Sequence, residues 1–396
     1  MLPSSKTQHQ LLAQADTAST WSAVCTVGVG AFALVTTEFL PVGLLPNIAR
    51  DLEISDGQAG LMITIPGVLA AISAPLTLAI AGRIDRRRVL LALVGLLALS
   101  NLMVAYAGDM YLLLAGRVLL GVAVGGFWTV AGALGPRMRP GKDAGRATAI
   151  ILSGISLGTV AGVPVGTLAG HLVGWREVFI AASVIALLVV GALAVLLPHL
   201  PANGSTGIAQ AFDALSNRRV QVGLLVVGLV FIGQFAAYTY ITPFLNSVPK
   251  VSASQLSAVL LGYGLAGFLG NLFGGWAVTH TIKGVFVATA MLIGIGVSLL
   301  LLLGASPVLA IAAVMAWGLG FGMLPVAAQT LMLNIDTSRA EGLSALLVFV
   351  LQAAIGAGAL VGGLALDDLG VFGPLGVGAA AALMSAGLAF IYHRTT

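Results

Sequence analysis

The uncharged stretch VFIAASVIALLVVGALAVLL, residues 178–197, decides the fold class, because its twenty residues are long enough to cross a bilayer as one helix. The rest of the chain has the same character. Of its 396 residues, 59% are hydrophobic and 8% are charged, and the mean hydropathy is +1.06. Soluble domains carry about 25% charged residues, so this chain cannot cover a soluble globule with polar groups. The composition indicates an all-α, multi-pass membrane protein and excludes a soluble enzyme.

Charged and turn-forming breaks divide the chain into twelve predicted spans of about the length that a bilayer requires. They cover residues 22–45, 58–81, 89–107, 110–134, 146–170, 178–197, 220–245, 255–278, 285–304, 308–332, 342–366 and 374–392. The longest polar interruption follows the sixth span. We therefore predict four regions, namely a cytoplasmic tail (1–20), a six-helix bundle (21–197), a cytoplasmic linker (198–219) and a second six-helix bundle (220–396).

An internal repeat supports two equivalent halves. Three glycines in and just after the fifth span recur 196 residues later in and just after the eleventh span, as the pairs Gly162 and Gly358, Gly166 and Gly362, and Gly174 and Gly370. This spacing is close to half of the chain length. We expect two parallel bundles related by an axis along the membrane normal, with substrate bound between them near the midplane.

The distribution of basic residues predicts the orientation of the spans. With the amino terminus in the cytoplasm, fourteen of the eighteen Lys and Arg residues lie on the cytoplasmic side. The opposite side carries only Arg50, Arg176 and Lys250. The positive-inside rule therefore places both termini in the cytoplasm.

Two charged residues fall well inside the predicted spans, Glu38 in span 1 and Arg117 in span 4. Both lie about seven residues from the outer end of their span, roughly 10 Å deep at 1.5 Å per residue. A charged carboxylate at that depth costs a few kcal/mol, so it must be protonated or paired. Because arginine keeps its proton, we predict that Glu38 carries a proton and that Arg117 holds its ionised form. A fixed salt bridge and a substrate contact without titration are the alternatives.

Three motifs carry a family resemblance. The loop GRIDRRR, residues 82–88, follows span 2, and RVLLGVAVG, residues 117–125, lies in span 4. GISLGTVAGVPVG, residues 154–166, lies in span 5. Together they resemble the major facilitator superfamily and, within it, the drug:proton antiporter group, although the loop lacks the usual second glycine. The resemblance implies gating or structural roles for Asp85, Arg86, Arg87, Gly158, Gly162, Pro164 and Gly166.

A narrower resemblance concerns the transported solute. TEFLPVGLL, residues 37–45, resembles bacterial sugar-efflux and purine ribonucleoside efflux transporters. WSAV (21–24), GGFW (125–128) and GQF (233–235) favour the ribonucleoside branch. The resemblance implies a proton-coupled efflux antiporter that works by alternating access in the bacterial cytoplasmic (inner) membrane, as a monomer without a cofactor. Its substrate would be a small neutral polar solute, with a purine ribonucleoside preferred and an arabinose-like sugar or a drug as alternatives.

The carboxyl-terminal half is expected to recognise substrate without charge, because no charged residue lies in the interior of its predicted spans. Hydrogen bonds and ring stacking then provide recognition, which suits a neutral solute that contains a ring. The candidate substrate contacts are Phe127, Trp128, Gln234, Tyr238, Tyr240, Tyr263, Asn271 and Gln352. For each of them, packing between helices is the alternative role.

Other functions have less support in the sequence. The five histidines fall in predicted tails or loops, and Cys25 is the single cysteine, so neither a metal site nor a disulfide is expected. No ATP-binding loop occurs, so an ion gradient or the solute's own gradient would drive transport.

Overall fold

The computed structural model describes residues 20–81, 84–132, 134–201, 215–335 and 340–394. The predicted tail, positions 82–83 of the basic loop and most of the predicted linker lie outside these ranges. Within them every regular element is a helix, and twelve helical segments are long and apolar enough to span a membrane. The predicted all-α class and the twelve spans are confirmed.

The spans form two bundles of six. In the amino-terminal bundle, span 1 is Trp21–Asp51, span 2 is Asp56–Ala59 with Leu61–Ala81, span 3 is Arg86–Ala105, span 4 is Met110–Ala131, span 5 is Ala144–Leu157 with Gly158–Gly162 and Val163–Val173, and span 6 is Trp175–Leu196. Leu134–Met138 and Gly141–Asp143 connect spans 4 and 5. In the carboxyl-terminal bundle, span 7 is Arg218–Tyr238 with Ile241–Ser247, span 8 is Ala253–Ala277, span 9 is Ile282–Leu303, span 10 is Pro307–Leu333, span 11 is Ala340–Leu369 and span 12 is Gly373–Arg394.

Helix packing is the same in both halves, in agreement with the internal repeat. Span 1 packs against spans 5 and 6, and span 7 packs against the equivalent spans 11 and 12. Span 4 packs against spans 2 and 3, and span 10 packs against spans 8 and 9. Each bundle has an apolar core, and the core of the carboxyl-terminal bundle extends to Val42 and Ile63 of the other bundle.

Span 1 continues beyond its predicted end at residue 45 and ends at Asp51. The continuous apolar stretch stops at residue 45, but the helix continues through Pro46, just as it continues through Pro41. A proline has no N–H, so the carbonyls of Thr37 and Val42, four residues earlier, lose their helical donors. Membrane helices tolerate this loss when neighbouring groups supply the missing hydrogen bonds.

The two bundles meet at one end of the molecule. We call the end where span 6 stops and span 7 starts the linker end, and the opposite end the far end. Between the bundles, Thr242 Oγ1 donates to Val42 O at 2.6 Å and Ser55 Oγ donates to Asp367 Oδ2 at 3.0 Å. Both bonds lie in the far half, beside an apolar cluster of Leu45, Ala49, Ala59, Tyr240 and Leu366. The described parts of the bundles are therefore joined at the far end.

Candidate functional site

Arg117 connects three spans from a position that is completely buried. Its Nε donates to Met62 O at 2.7 Å, its Nη1 to Thr37 O at 3.1 Å and its Nη2 to Glu38 O at 3.1 Å. The guanidinium on span 4 thus binds the main chain of spans 1 and 2.

Two prolines explain why these carbonyls accept bonds from a side chain. Pro41 and Pro66 lie four residues after Thr37 and Met62, so neither carbonyl has a helical N–H donor. Arg117 supplies both donors. A buried polar group without a partner costs about 1–3 kcal/mol, so the guanidinium stabilises the junction of spans 1, 2 and 4.

Glu38 lies beside this junction with a buried carboxyl group. Its side chain is 3% exposed, and its Oε1 has no hydrogen-bond partner among the described residues. Within the described chain, Glu38 and Arg117 form no ion pair within 4.0 Å, and their hydrogen bond uses the main-chain oxygen of Glu38. The two residues are neighbours as expected, but the expected contact through the carboxylate is not formed. Three of the five guanidinium N–H groups donate to main-chain carbonyls instead.

Further buried polar groups lie on spans 1 and 3 beside this junction. Asn101 Nδ2 donates to Thr37 Oγ1 at 3.2 Å, and both side chains are buried. The buried atoms Thr36 Oγ1, Ser100 Oγ and Asn101 Oδ1 have no partner among the residues that the structure describes. The sequence analysis missed Asn101, although an amide inside an apolar span is a readable signal. These groups add buried polar atoms to spans 1 and 3, next to the junction that Arg117 forms.

The glycine-rich motif of span 5 lies between span 1 and the second bundle. Its segment Gly158–Gly162 is a π-helical turn, a feature often found at functional sites. A Cβ on Gly162 would lie 2.0 Å from Thr36 Oγ1, so only glycine permits this approach to span 1. On the other bundle, a Cβ on Gly264 would lie 2.7 Å from Val160 Cα within the turn. Four residues of the motif with expected structural roles are buried here, namely Gly158, Gly162, Pro164 and Gly166.

The predicted gating residues Asp85 and Arg86 contact the segment that follows span 6, and Arg87 donates through Nη2 to Ala194 O within span 6. Asp85 accepts hydrogen bonds from His199 Nδ1 at 3.0 Å, from the Arg87 N–H at 2.8 Å and from the Leu200 N–H at 3.2 Å. The Arg86 N–H donates to Leu200 O at 2.9 Å. Partial burial opposes ionisation of Asp85, but these hydrogen bonds outweigh it and hold the pKa of the carboxyl group below its usual range. These contacts fasten the start of span 3 to the segment after span 6.

Three predicted substrate contacts form a closed network in the carboxyl-terminal bundle. Gln234 Nε2 donates to Tyr263 Oη at 2.7 Å, and Trp317 Nε1 donates to Gln234 Oε1 at 2.6 Å. The ring of Tyr238 stacks on Tyr263 with 4.8 Å between centroids. All four side chains are buried. They bond to one another in this conformation, and the sequence analysis missed Trp317, which completes the network.

The other predicted substrate contacts are dispersed. Phe127 is fully buried in the amino-terminal core, and Trp128 packs against it edge-on near the linker end of span 4. Tyr240 belongs to the far-end cluster. Gln352 is buried on span 11, and Asn271 is half-buried on span 8. The structure therefore does not bring the eight residues into one pocket.

One aromatic contact links the bundles directly beside Glu38. The rings of Phe39 and Phe235 stack with 5.5 Å between centroids and 22° between planes. In the part of the chain that the structure describes, no other ring pair joins the two bundles. The residue next to the buried carboxyl group therefore touches the opposite bundle, a link that sequence reasoning did not identify.

Comparison with known proteins identifies a matching family and similar relatives. The model of the Major Facilitator Superfamily matches residues 27–359. The purine ribonucleoside efflux pump NepI of Salmonella paratyphi A is 35% identical over 366 residues, which are 92% of each chain. The pump of the same name from Salmonella enteritidis PT4 is 34% identical over the same shares.

Two solved structures have the same fold. Both are of a bacterial homologue of the human lysosomal transporter Spinster. The inward-facing and occupied form gives a TM-score of 0.78 at 18% identity, covering 95% of this chain and 97% of that chain. The inward-facing and unoccupied form gives a TM-score of 0.72 at 18% identity, covering 94% of each.

Proposed function

The chain belongs to the major facilitator superfamily and is a transporter, not an enzyme, and from that premise we propose that it exports a purine ribonucleoside in exchange for protons by alternating access. The observation that carries the proposal is Glu38. It is a carboxyl group that is 3% exposed, and its Oε1 has no hydrogen-bond partner among the described residues.

Burial of this carboxyl group favours its neutral form in the absence of a bonded cation. The transfer of a charged carboxylate into such a site costs several kcal/mol, whereas a protonated carboxyl group needs only hydrogen-bond partners. The nearby guanidinium of Arg117 already makes three main-chain bonds, so it supplies charge without forming a fixed pair. Such a group can bind a proton from one side of the membrane and release it to the other.

We place the linker end in the cytoplasm, because fourteen of the eighteen basic residues fall on that side of the predicted topology. With this orientation the far-end contacts close the outer side, which corresponds to an inward-facing state. The relevant contacts are Thr242 with Val42 and Ser55 with Asp367. We further propose that the protein acts as a monomer in a bacterial inner membrane, with its bundles bounded as the sequence analysis predicts.

The substrate assignment rests on the relatives, of which the first named is 35% identical over 92% of both chains and is called a purine ribonucleoside efflux pump. The uncharged interiors of spans 7 to 12 are compatible with a neutral nucleoside. In a conformation open to substrate, the aromatic rings around Gln234 would offer a base stacking surfaces.

A reconstituted system tests the proposal. Purified protein in liposomes is assayed for uptake of inosine, guanosine, arabinose and a hydrophobic drug, with and without an imposed pH gradient. We expect accumulation of the nucleosides only with the gradient. Pentose transport without nucleoside transport would reject the substrate, and nucleoside transport that ignores the gradient would reject the proton coupling. Trp128→Ala should weaken transport of a nucleoside more than transport of a pentose, since only a base offers a flat ring.

A further inference from the structure

The linker end of the carboxyl-terminal bundle contains a cavity of about 250 Å³ that the proposed transport cycle does not use. Spans 7, 9, 10 and 12 enclose it. Apolar residues form much of its wall, among them Val226 and Phe286, which are buried. Its polar lining consists of the exposed residues Arg219, Lys283 and Asn334. No acidic side chain is among the described residues that line it.

The matching end of the amino-terminal bundle differs. At the positions 196 residues earlier, Ala23 replaces Arg219 and Leu90 replaces Phe286, whereas Arg87 is basic like Lys283. Ala23 and Leu90 belong to one apolar cluster in which they are fully buried, and Leu197 and Leu200 from the segment after span 6 complete it. Arg87 Nη2 donates to Ala194 O of span 6. The same fold position thus has a filled apolar core and a basic residue bonded to span 6 in one bundle, and a cavity with a basic rim in the other.

The cavity also lies beside surface suited to acyl chains. Ala389 of span 12 lines it, and the neighbouring side chains of Leu388 and Ile391 are 40% and 63% exposed. Spans 7 and 9 both begin here, at Arg218 and Ile282, so their positive helix ends point toward the same space. Basic residues, two helix amino termini and adjacent apolar surface together suit a group that has a phosphate and a hydrocarbon tail.

We propose that this cavity binds the phosphate headgroup of an anionic phospholipid, with its acyl chains along span 12 and its phosphate between Arg219 and Lys283. Basic pockets between membrane helices on the cytoplasmic side recognise such headgroups by charge. Asn334 adds an amide that can donate to a phosphate or glycerol oxygen. The lipid would hold spans 7, 9, 10 and 12 together at an end where side chains fill the other bundle.

Native mass spectrometry of the purified protein in detergent tests this site. Phosphatidylglycerol is titrated and compared with phosphatidylcholine of the same acyl chains. We expect tighter binding of phosphatidylglycerol to the unmodified protein, and about 25-fold weaker binding to Arg219→Gln/Lys283→Gln, since each cation near an anionic lipid contributes about fivefold. If the double variant does not purify as folded protein, each single variant should bind phosphatidylglycerol about fivefold more weakly than the unmodified protein does.

The matched control is Arg88→Gln/Lys142→Gln, which removes two exposed basic residues at the same end of the other bundle. It should retain the unmodified affinity. Equal losses in both double variants would attribute binding to overall charge and overturn the site, as would unchanged binding to Arg219→Gln/Lys283→Gln. Inorganic phosphate that binds as tightly as the lipid would overturn the lipid assignment in favour of a soluble anion.

Discussion

Arg117 donates to the main-chain carbonyl of Glu38 at 3.1 Å, and it leaves the carboxyl group of that residue without an ion pair within 4.0 Å in the described chain. A cation near an acid in a membrane span is usually interpreted as its salt-bridge partner. Here the cation is fixed by carbonyls, two of which lost their helical donors to proline. The arginine can therefore stay in place whether or not the carboxyl group is ionised.

The first prediction concerns the proline carbonyls. Arg117→Ala should cost about 2–6 kcal/mol of unfolding free energy, since two carbonyls lose their only donor at about 1–3 kcal/mol each. In a Pro41→Ala/Pro66→Ala background, new N–H groups can bond to Thr37 and Met62. The cost of Arg117→Ala should then fall by about half or more. Equilibrium unfolding in mixed detergent micelles measures the unfolding free energy of each variant in this double-mutant cycle.

An equal cost of Arg117→Ala in both backgrounds would show that the carbonyls do not explain its importance. Arg117→Lys should be intermediate, because a lysine ammonium lacks the planar fork that reaches three acceptors.

The second prediction concerns closure of the far end. A Cβ on Gly60 would lie 1.8 Å from Tyr240 Oη, so Gly60→Ala should keep the two bundles apart there. We expect faster labelling of Leu366→Cys by an impermeant maleimide from the outer side, in a Cys25→Ser background. Gly95→Ala is the control, because a Cβ there meets nothing within 4 Å.

If Tyr240→Leu restores slow labelling in the Gly60→Ala protein, the Tyr240 ring is the group that keeps the bundles apart. Labelling that stays slow in Gly60→Ala would contradict closure at this position.

The third prediction separates structure from recognition in the aromatic network. Gln234→Ala leaves Trp317 Nε1 and Tyr263 Oη without the partner that the structure gives them, at about 1–3 kcal/mol for each group. We expect lower thermal stability and equal losses of affinity for a nucleoside and a pentose. Asn271→Ala, on a half-buried amide with no hydrogen bond among the described residues, should leave stability almost unchanged. Unaltered stability of Gln234→Ala with selective loss of nucleoside binding would instead make this amide a direct substrate contact.

The fourth prediction concerns pH. Hydrogen bonds lower the pKa of Asp85 in the folded protein, so this carboxyl group stabilises the fold above its unfolded pKa of about 3.9. The contribution is lost as the pH falls through the lower folded value. Asp85→Asn should therefore reduce the thermal midpoint at pH 7, and the difference from the unmodified protein should shrink below about pH 3.9. His199→Ala, which removes one of the hydrogen bonds, should have a smaller effect; a difference that does not depend on pH would contradict this account.

The fold could be predicted because membrane spans depend on local composition. A stretch such as residues 178–197 has only one stable way to satisfy its backbone in lipid, and the structure has a helix at Trp175–Leu196. Span ends were less predictable. Span 1 runs past its predicted end to Asp51, and the carbonyl that Pro46 frees accepts a hydrogen bond from Thr242 of the other bundle, a contact that local composition does not reveal.

The site was only partly predictable, because some of its contacts depend on tertiary structure and not on local composition. Glu38 and Arg117 are identifiable from the sequence, since charge inside an apolar span is rare. The carbonyls freed by Pro41 and Pro66 could also have been identified from the spacing of four residues. That Arg117 fills them depends on tertiary proximity, as does the pairing of Gln234 with Trp317 across 83 positions. Local patterns do not contain that information.

The most direct test of proton coupling is solute transport by Glu38→Gln in liposomes with an imposed pH gradient. Glutamine keeps the size of the side chain and cannot release a proton, so the variant should fold and bind substrate. We predict that it loses accumulation driven by the pH gradient and keeps the exchange of labelled for unlabelled nucleoside. Full gradient-driven accumulation by a well-folded Glu38→Gln protein would contradict the account.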